Sequence, residues 1–275
     1  TLSQDEVQQT PHHVFPVYSN PTQNSLIKRL ASDTEALSKH GKATWGVKIY
    51  QRGKGKPPQD GSESQNQRFH SRIKAKATHR PLLGGTEIKR YHLNWQGGYV
   101  DYGPWLAEPR ASEWFEGPRI LVREVTANGI IQAVTTDDDY VFSNSVDGVR
   151  LTNSWYRLEF VLGIINSKLI SFYHSYTSAN AFKESFPKVL IKDLLNLPLP
   201  RLNMQDKTDK ARHDRMVELV ETMLKLHRDL DAARTGDEKE RLRRRIEATD
   251  AQIDRLVYDL YGLSDEEIAI VEGAG

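Results

Sequence analysis

The chain has 275 residues, 38% hydrophobic and 27% charged, enough to bury one large core or two small ones. No apolar run approaches the roughly eighteen residues of a membrane span, and no secretory pattern opens the sequence. Cysteine is absent, which excludes disulfides, cysteine-ligated zinc and thiol nucleophiles and fits a reducing cytoplasm, while a net charge of +1 conceals a strong internal asymmetry.

The first 25 residues, beginning at Thr1, are polar and proline-containing, the composition of an inter-domain linker. They are expected to lead into a C-terminal fragment of a longer polypeptide, the alternative being a processed chain. In residues 24–40, Leu26, Ile27, Leu30 and Leu37 recur at helical spacing, and Gly41 provides a stop. Residues 1–40 are therefore read as linker plus short helix.

From Thr44 to Leu151 the pattern changes to short strand-like runs, among them Trp45–Tyr50, Tyr91–Asn94, Arg119–Val125, Gly129–Val134 and Asp139–Ser143. Asn128-Gly129 predicts a tight hairpin between two of them. The charge concentrates here: His40 to Trp95 holds twelve Lys or Arg against three acidic residues, whereas the remainder holds 26 basic and 34 acidic. Such a field points to a polyanionic partner, the alternative being an incidentally basic solvated loop. The insert Gly53–Thr78 is rich in Lys, Gln, Ser and Gly and is expected to stay mobile until a partner orders it.

Residues 154–176 read as one buried helix, capped by Asn153 or Ser154, with Leu158, Val161, Leu162, Ile165, Leu169, Phe172 and Tyr173 on its apolar face. The stretch KVLIKDLLNLPLP follows, with Pro198 and Pro200 expected to end regular structure. A helical hairpin comes last. One stripe runs from Met216 to Leu230 and another from Leu242 to Leu260, and Thr235-Gly236 separates them. Asp237 with Glu240 and Ser264 with Glu267 have capping-box spacing, and Gly262 is a stop. The charged faces, including Arg241 and Arg243 to Arg245, are expected in solvent, and the pair reads as a coiled-coil-like spacer. The predicted class is α+β, with a β-rich domain at 41–203 and the hairpin at 204–275.

No catalytic motif is complete. The Asn/Asp-Pro-Pro-aromatic motif of amino-group methylation has no match, since Ser19-Asn20-Pro21-Thr22 lacks the second proline and the aromatic. Gly53-Lys54-Gly55-Lys56-Pro57 has the wrong spacing for a phosphate-binding loop. Glu87-Ile88-Lys89 with Asp60 upstream has the outline of a metal-dependent nuclease, but the tripeptide is common. Asp137-Asp138-Asp139 reads as a solvated turn and His12-His13 as linker residues. The expected catalytic and metal sites are therefore none.

Three stretches together resemble a known family. Gly46 to Gln59 is similar to the strand and loop that open its domain, and Pro81-Leu82-Leu83-Gly84-Gly85-Thr86-Glu87-Ile88-Lys89-Arg90-Tyr91 resembles its signature. Leu158 to Pro200 supplies the third, with Leu162-Gly163-Ile164-Ile165-Asn166-Ser167-Lys168-Leu169 and a Leu-Pro-x-Pro exit. The family is the TaqI-like C-terminal specificity domain, found in type IIG restriction-modification enzymes and adenine-specific DNA methyltransferases of phage defence.

The resemblance implies sequence-specific recognition of double-stranded DNA, with methyl transfer and cleavage carried by upstream domains of the same polypeptide. S-adenosylmethionine and Mg2+ would serve those domains, and no cofactor is expected in this chain. On that reading Lys48, Arg52, Lys54, Lys56, Arg72, Lys74 and Lys76 are candidates for phosphates, and Gln65, Asn66, Gln67, Arg68 and Arg90 for bases. Lys89, Tyr50 and the loop residues Ser178, Asn180 and Lys183 complete the candidate DNA-binding set. The rival readings are a protein-interaction module built on the hairpin and a single-stranded nucleic-acid binder that uses interleaved aromatics.

Overall fold

The computed structural model describes residues 21–153, 155–181 and 187–273; residues 1–20 of the predicted linker, with His12-His13, and the Ser154 cap and Lys183 lie outside them, while the linker's last five residues are helical. Helix α1 (Pro21–Asp33) buries Leu26, Ile27 and Leu30. It ends earlier than its apolar spacing predicts, because Thr34–Ala36 departs as strand β1 and Leu37 reaches the core from a single 3-10 turn.

After β2 (Gly41–Trp45) come α2 (Ser62–Gln65), β3 (His70–Ser71), β4 (His79–Leu83), β5 (Ile88–Lys89), β6 (His92–Leu93) and β7 (Tyr99–Asp101). They are followed by β8 (Arg119–Arg123), β9 (Ala133–Thr136), β10 (Val141–Phe142) and β11 (Val146–Leu151). The antiparallel sheet β2-β11-β8-β9 is the centre of the molecule, and a second sheet, β10-β4-β7-β3, lies over one of its faces. Side chains alternate across β8. Ile120 and Val122 join the core shared with the helices, and Leu121 joins the core between the sheets. The predicted hairpin is present: Asn128 (φ 51°) and Gly129 (φ 76°) form a turn closed by reciprocal hydrogen bonds between Ala127 and Ile130.

The single helix expected at 154–176 is two, α3 (Leu158–Asn166) and α4 (Lys168–Thr177). Ser167 breaks it. Its backbone is extended (ψ 155°), and its hydroxyl caps α4 by accepting from the Ile170 N–H. The preceding Asn166, fully buried, bonds both ways to Ala133: its Oδ1 accepts from the backbone N–H and its Nδ2 donates to the carbonyl. Ser171 Oγ accepts from the Ile131 N–H. Together these groups satisfy the outer edge of the β9 segment, which would otherwise bury unpaired backbone groups.

Pro198 and Pro200 do not end regular structure as expected. After α5 (Ile191–Leu195), residues Pro198–Pro200 form β12, paired antiparallel with β1. A two-stranded edge tolerates prolines, which lack a donor but keep their carbonyls; those carbonyls accept from the Tyr261 and Tyr156 hydroxyls.

The hairpin comprises α6 (Lys207–Ala232) and α7 (Gly236–Leu260), with α8 (Asp265–Val271) behind it. Thr235, not Asp237, caps α7 by accepting from the Glu238 N–H, because the helix starts one residue before the predicted box. Ser264 and Glu267 form the predicted capping box, and Gly262 (φ 59°) is the predicted stop. Arg241 and Arg243 to Arg245 are exposed. The hairpin is no detached strut: Met216, Val220, Met223, Ile253 and Val257 share one core with Leu162 and Ile165 of α3. Towards the tip, Leu226, Ala233 and Leu242 make a small cluster of their own. The α+β class expected from the sequence holds.

Candidate nucleic-acid interface

Two consecutive loops carry most of the basic candidates, and both are built. The first, after Tyr50, is organised by one buried amide. Gln59 Nε2 donates to the carbonyls of Ile49 and Trp105 at 2.9 Å each, and its Oε1 accepts from the Gln51 N–H. Gly53 and Lys54 pair with the Gln59 backbone, and the Lys56 N–H donates to Pro104 O. Gly55 sits at φ 87° with the Trp105 carbonyl so near that a Cβ would approach it to 2.4 Å. Arg52, Lys54 and Lys56 are left on the outside, exposed.

The second loop is held by Phe69, which is buried and stacked on Tyr50 at 5.6 Å between ring centroids. The Tyr50 hydroxyl accepts from the Phe69 N–H and lies 2.9 Å from His70 Nδ1. Burial raises the Tyr50 pKa and lowers that of His70, so this pair stays neutral around pH 7. Tyr50 is thus a support for the loop. Gln65, Asn66, Gln67, Arg68, Arg72 and Lys74 are all exposed around this anchor. The insert expected to be mobile is therefore a scaffolded surface. Its two small cores escape a sequence reading, because single residues such as Gln59 and Phe69 leave no periodic signal.

The carboxylates of this segment are already committed. Glu63 Oε2 accepts from the N–H groups of Asp60 and Gly61, and Asp60 Oδ1 accepts from the Ser62 N–H. Among the described residues, Lys76 and Arg80 are the cations of this stretch with an ion pair, to Asp101 and Glu116 respectively. Burial opposes ionisation of Asp101, but the hydrogen bonds from Lys76 and Thr78 outweigh it and hold its carboxyl below the usual range. The Ser62 hydrogen bonds, helped by the nearby Arg52, hold the Asp60 carboxyl below the usual range. Among the described residues Lys54, Lys56, Arg72 and Lys74 have no ion pair, so they project a positive field.

Other candidates lie elsewhere. Lys48 is half-buried and lines a separate cleft of about 270 Å³ with Trp45, Arg110, Glu124 and Asp147. Burial, reinforced by Glu124, pushes the Asp147 carboxyl up to about 7. Lys89 is exposed at the end of β5. Arg90 is turned inward: its guanidinium grips Asp250 of α7 with two bonds of 2.7 and 2.8 Å. Tyr91 is buried beside it, and burial raises its hydroxyl pKa far above the ordinary value. Ser178 is also buried, donating to Asp193 Oδ2, and Asn180 is engaged through its backbone with Ser178 and Lys188.

Glu87 accepts from the N–H groups of Gly84 and Gln96 at 2.6 Å each, so the acid of the Glu-x-Lys tripeptide holds a turn. Among the described residues no group of three or more His, Cys, Asp or Glu could hold a metal ion, and no helix is long and apolar enough to cross a membrane.

The fold and the partial family match are those of a target-recognition domain of restriction-modification systems. More particularly, residues 80–199 match the TaqI-like C-terminal specificity domain family. The match contains the Pro81–Tyr91 signature and nearly all of the Leu158–Pro200 stretch; the Gly46–Gln59 stretch precedes it. Among solved structures, the type IIL restriction-modification enzyme MmeI, determined in complex with DNA, aligns at a TM-score of 0.54 and 12% identity, covering 86% of this chain and 35% of that one. The type IIG restriction endonuclease BpuSI aligns at 0.44 and 13%, covering 88% of this chain and 33% of that one. This chain thus spans about a third of the length of either enzyme, and its likeness to MmeI is one of fold. No curated protein matches in sequence.

Proposed function

We propose that this chain recognises a specific sequence in double-stranded DNA, as the C-terminal specificity region of a type IIG-like restriction-modification enzyme or adenine-specific DNA methyltransferase. The observation that carries the reading is the set of exposed cations, Arg52, Lys54, Lys56, Arg72 and Lys74, which among the described residues have no ion pair and sit on buttressed loops just before the matched segment. Cations of this kind give salt-dependent, sequence-independent attraction to phosphates and orient the module. Gln65, Asn66, Gln67 and Arg68 crown the neighbouring turn and supply the directional donors and acceptors that base edges require. Lys89 adds a further phosphate contact. Arg90, Ser178 and Tyr50 act from within, by holding the module to α7, to α5 and to the loop. Upstream domains would bind S-adenosylmethionine and carry out the chemistry.

The test is anisotropy titration of the whole chain against random-sequence duplex and single strand at several salt concentrations. The expected result is duplex binding that weakens steeply with salt and exceeds single-strand binding. Undetectable duplex affinity at low salt would refute the proposal, and a clear single-strand preference would favour the rival binder.

A further inference from the structure

Three large hydrophobic side chains are notably exposed among the described residues: Trp45 (49%), Trp155 (60%) and Ile73 (68%). Trp45 is covered on one face by the Arg110 guanidinium, 4.7 Å from the ring centroid. Ile73, the most exposed of the three, is the one set among cations. It sits between Arg72 and Lys74, at the outer end of the loop that joins β3 to β4 across β7.

The backbone beneath Ile73 is held with unusual thoroughness for a loop tip. Ser71 Oγ donates to the Ile73 carbonyl at 2.7 Å, and the Ile73 N–H returns to the same hydroxyl at 3.2 Å. The Ala75 N–H donates to that carbonyl at 3.0 Å, and Nδ1 of the buried His79 lies 3.0 Å from it. Ser71 is itself in register with Tyr99 of β7, and His79 opens β4. The hydrogen bonds of a sheet end thus fix a β-branched side chain, stiff at its first torsion, pointing into solvent among cations. An exposed aliphatic group held among cations is available to whatever partner those cations attract.

We infer that Ile73 is a specificity-determining residue which packs against the 5-methyl group of a thymine in the major groove. The inference rests on the DNA reading above. An aliphatic side chain cannot read donors or acceptors, and thymine is the one base that offers a methyl group on that edge. Arg72 and Lys74, one on each side in sequence, anchor the tip on flanking phosphates.

The experiment enriches bound sequences from a random duplex pool with the whole chain, then titrates the enriched duplex synthesised with thymine or with uracil. Wild type, Ile73→Val and Ile73→Ala are compared; because Ile73 is exposed, all three are expected to fold alike. Uracil at one position of the site weakens wild-type binding about fourfold, the factor for one buried methyl group. Ile73→Val keeps most of that difference and Ile73→Ala abolishes it. A wild-type chain indifferent to uracil at every position, or an Ile73→Ala chain that discriminates as the wild type does, overturns the inference and leaves DNA recognition standing. Indifference to uracil combined with loss of affinity in Ile73→Ala identifies an intercalating wedge and likewise overturns it. A wild-type chain that binds no duplex overturns both readings together.

Discussion

Between Gln51 and Thr78 the chain places seven Lys or Arg against two carboxylates; between Lys207 and Leu260 it places thirteen against thirteen. Along the hairpin, opposite charges meet at helical spacing, as in Arg244–Glu240, Arg255–Asp259, Lys210–Asp214 and Arg215–Glu218. In the loops, the two acids are tied to backbone N–H groups and the cations are left outside. Within the run Arg243-Arg244-Arg245, Arg244 is paired with Glu240, and the hairpin as a whole carries balanced charge. What separates a binding surface from a solvated face is whether the field is cancelled at contact range.

Substitutions in the two regions should have different consequences. The largest effect is expected from Lys54, Lys56, Arg72 and Lys74 changed together to Ala. The slope of log affinity against log salt on random duplex should become shallower by about 3.6 units, 0.9 for each phosphate no longer neutralised. The matching change of Arg241, Arg243, Arg244 and Arg245 should leave that slope unaltered. Next is Gln59→Ala, which strips partners from Ile49 O, Trp105 O and Gln51 N. Urea denaturation should show a loss of about 3 kcal/mol, and duplex affinity should fall because the first loop loses its brace. Arg90→Ala, at the junction of the two regions, should cost about 2 kcal/mol in the same assay with an unchanged salt slope, since Arg90 serves Asp250. A reduced slope would return Arg90 to the DNA-contacting set. The smallest effect is Ser264→Ala, about 1 kcal/mol from removal of a cap and none on binding.

The parts of this fold that are legible in the sequence are those with local signals. Helical apolar stripes locate α6 and α7, Asn128-Gly129 locates a hairpin turn, and the Pro81–Tyr91 and Leu158–Pro200 stretches carry the family likeness. What escapes depends on contacts distant in sequence. Ser167 splits a continuous apolar pattern because Asn166 and Ser171 are needed at the β9 edge, about 35 residues away. Arg90 has the chemistry of a base reader, yet Asp250, 160 positions on, holds it. Ile73 gives no signal, because a lone aliphatic residue in a polar loop has no periodicity. The cationic character of the site is plain from composition, whereas its rigidity is not, since Gln59 and Phe69 act as single pins.

On the DNA-recognition reading the loops, and not the hairpin, face DNA. Lysine acetylation of the whole chain, read by mass spectrometry with and without saturating duplex, tests it most directly. Duplex is expected to protect Lys54, Lys56 and Lys74 strongly and to leave Lys225 and Lys239 of the hairpin as reactive as before. Protection of Lys225 and Lys239 with the loop lysines still reactive would contradict it.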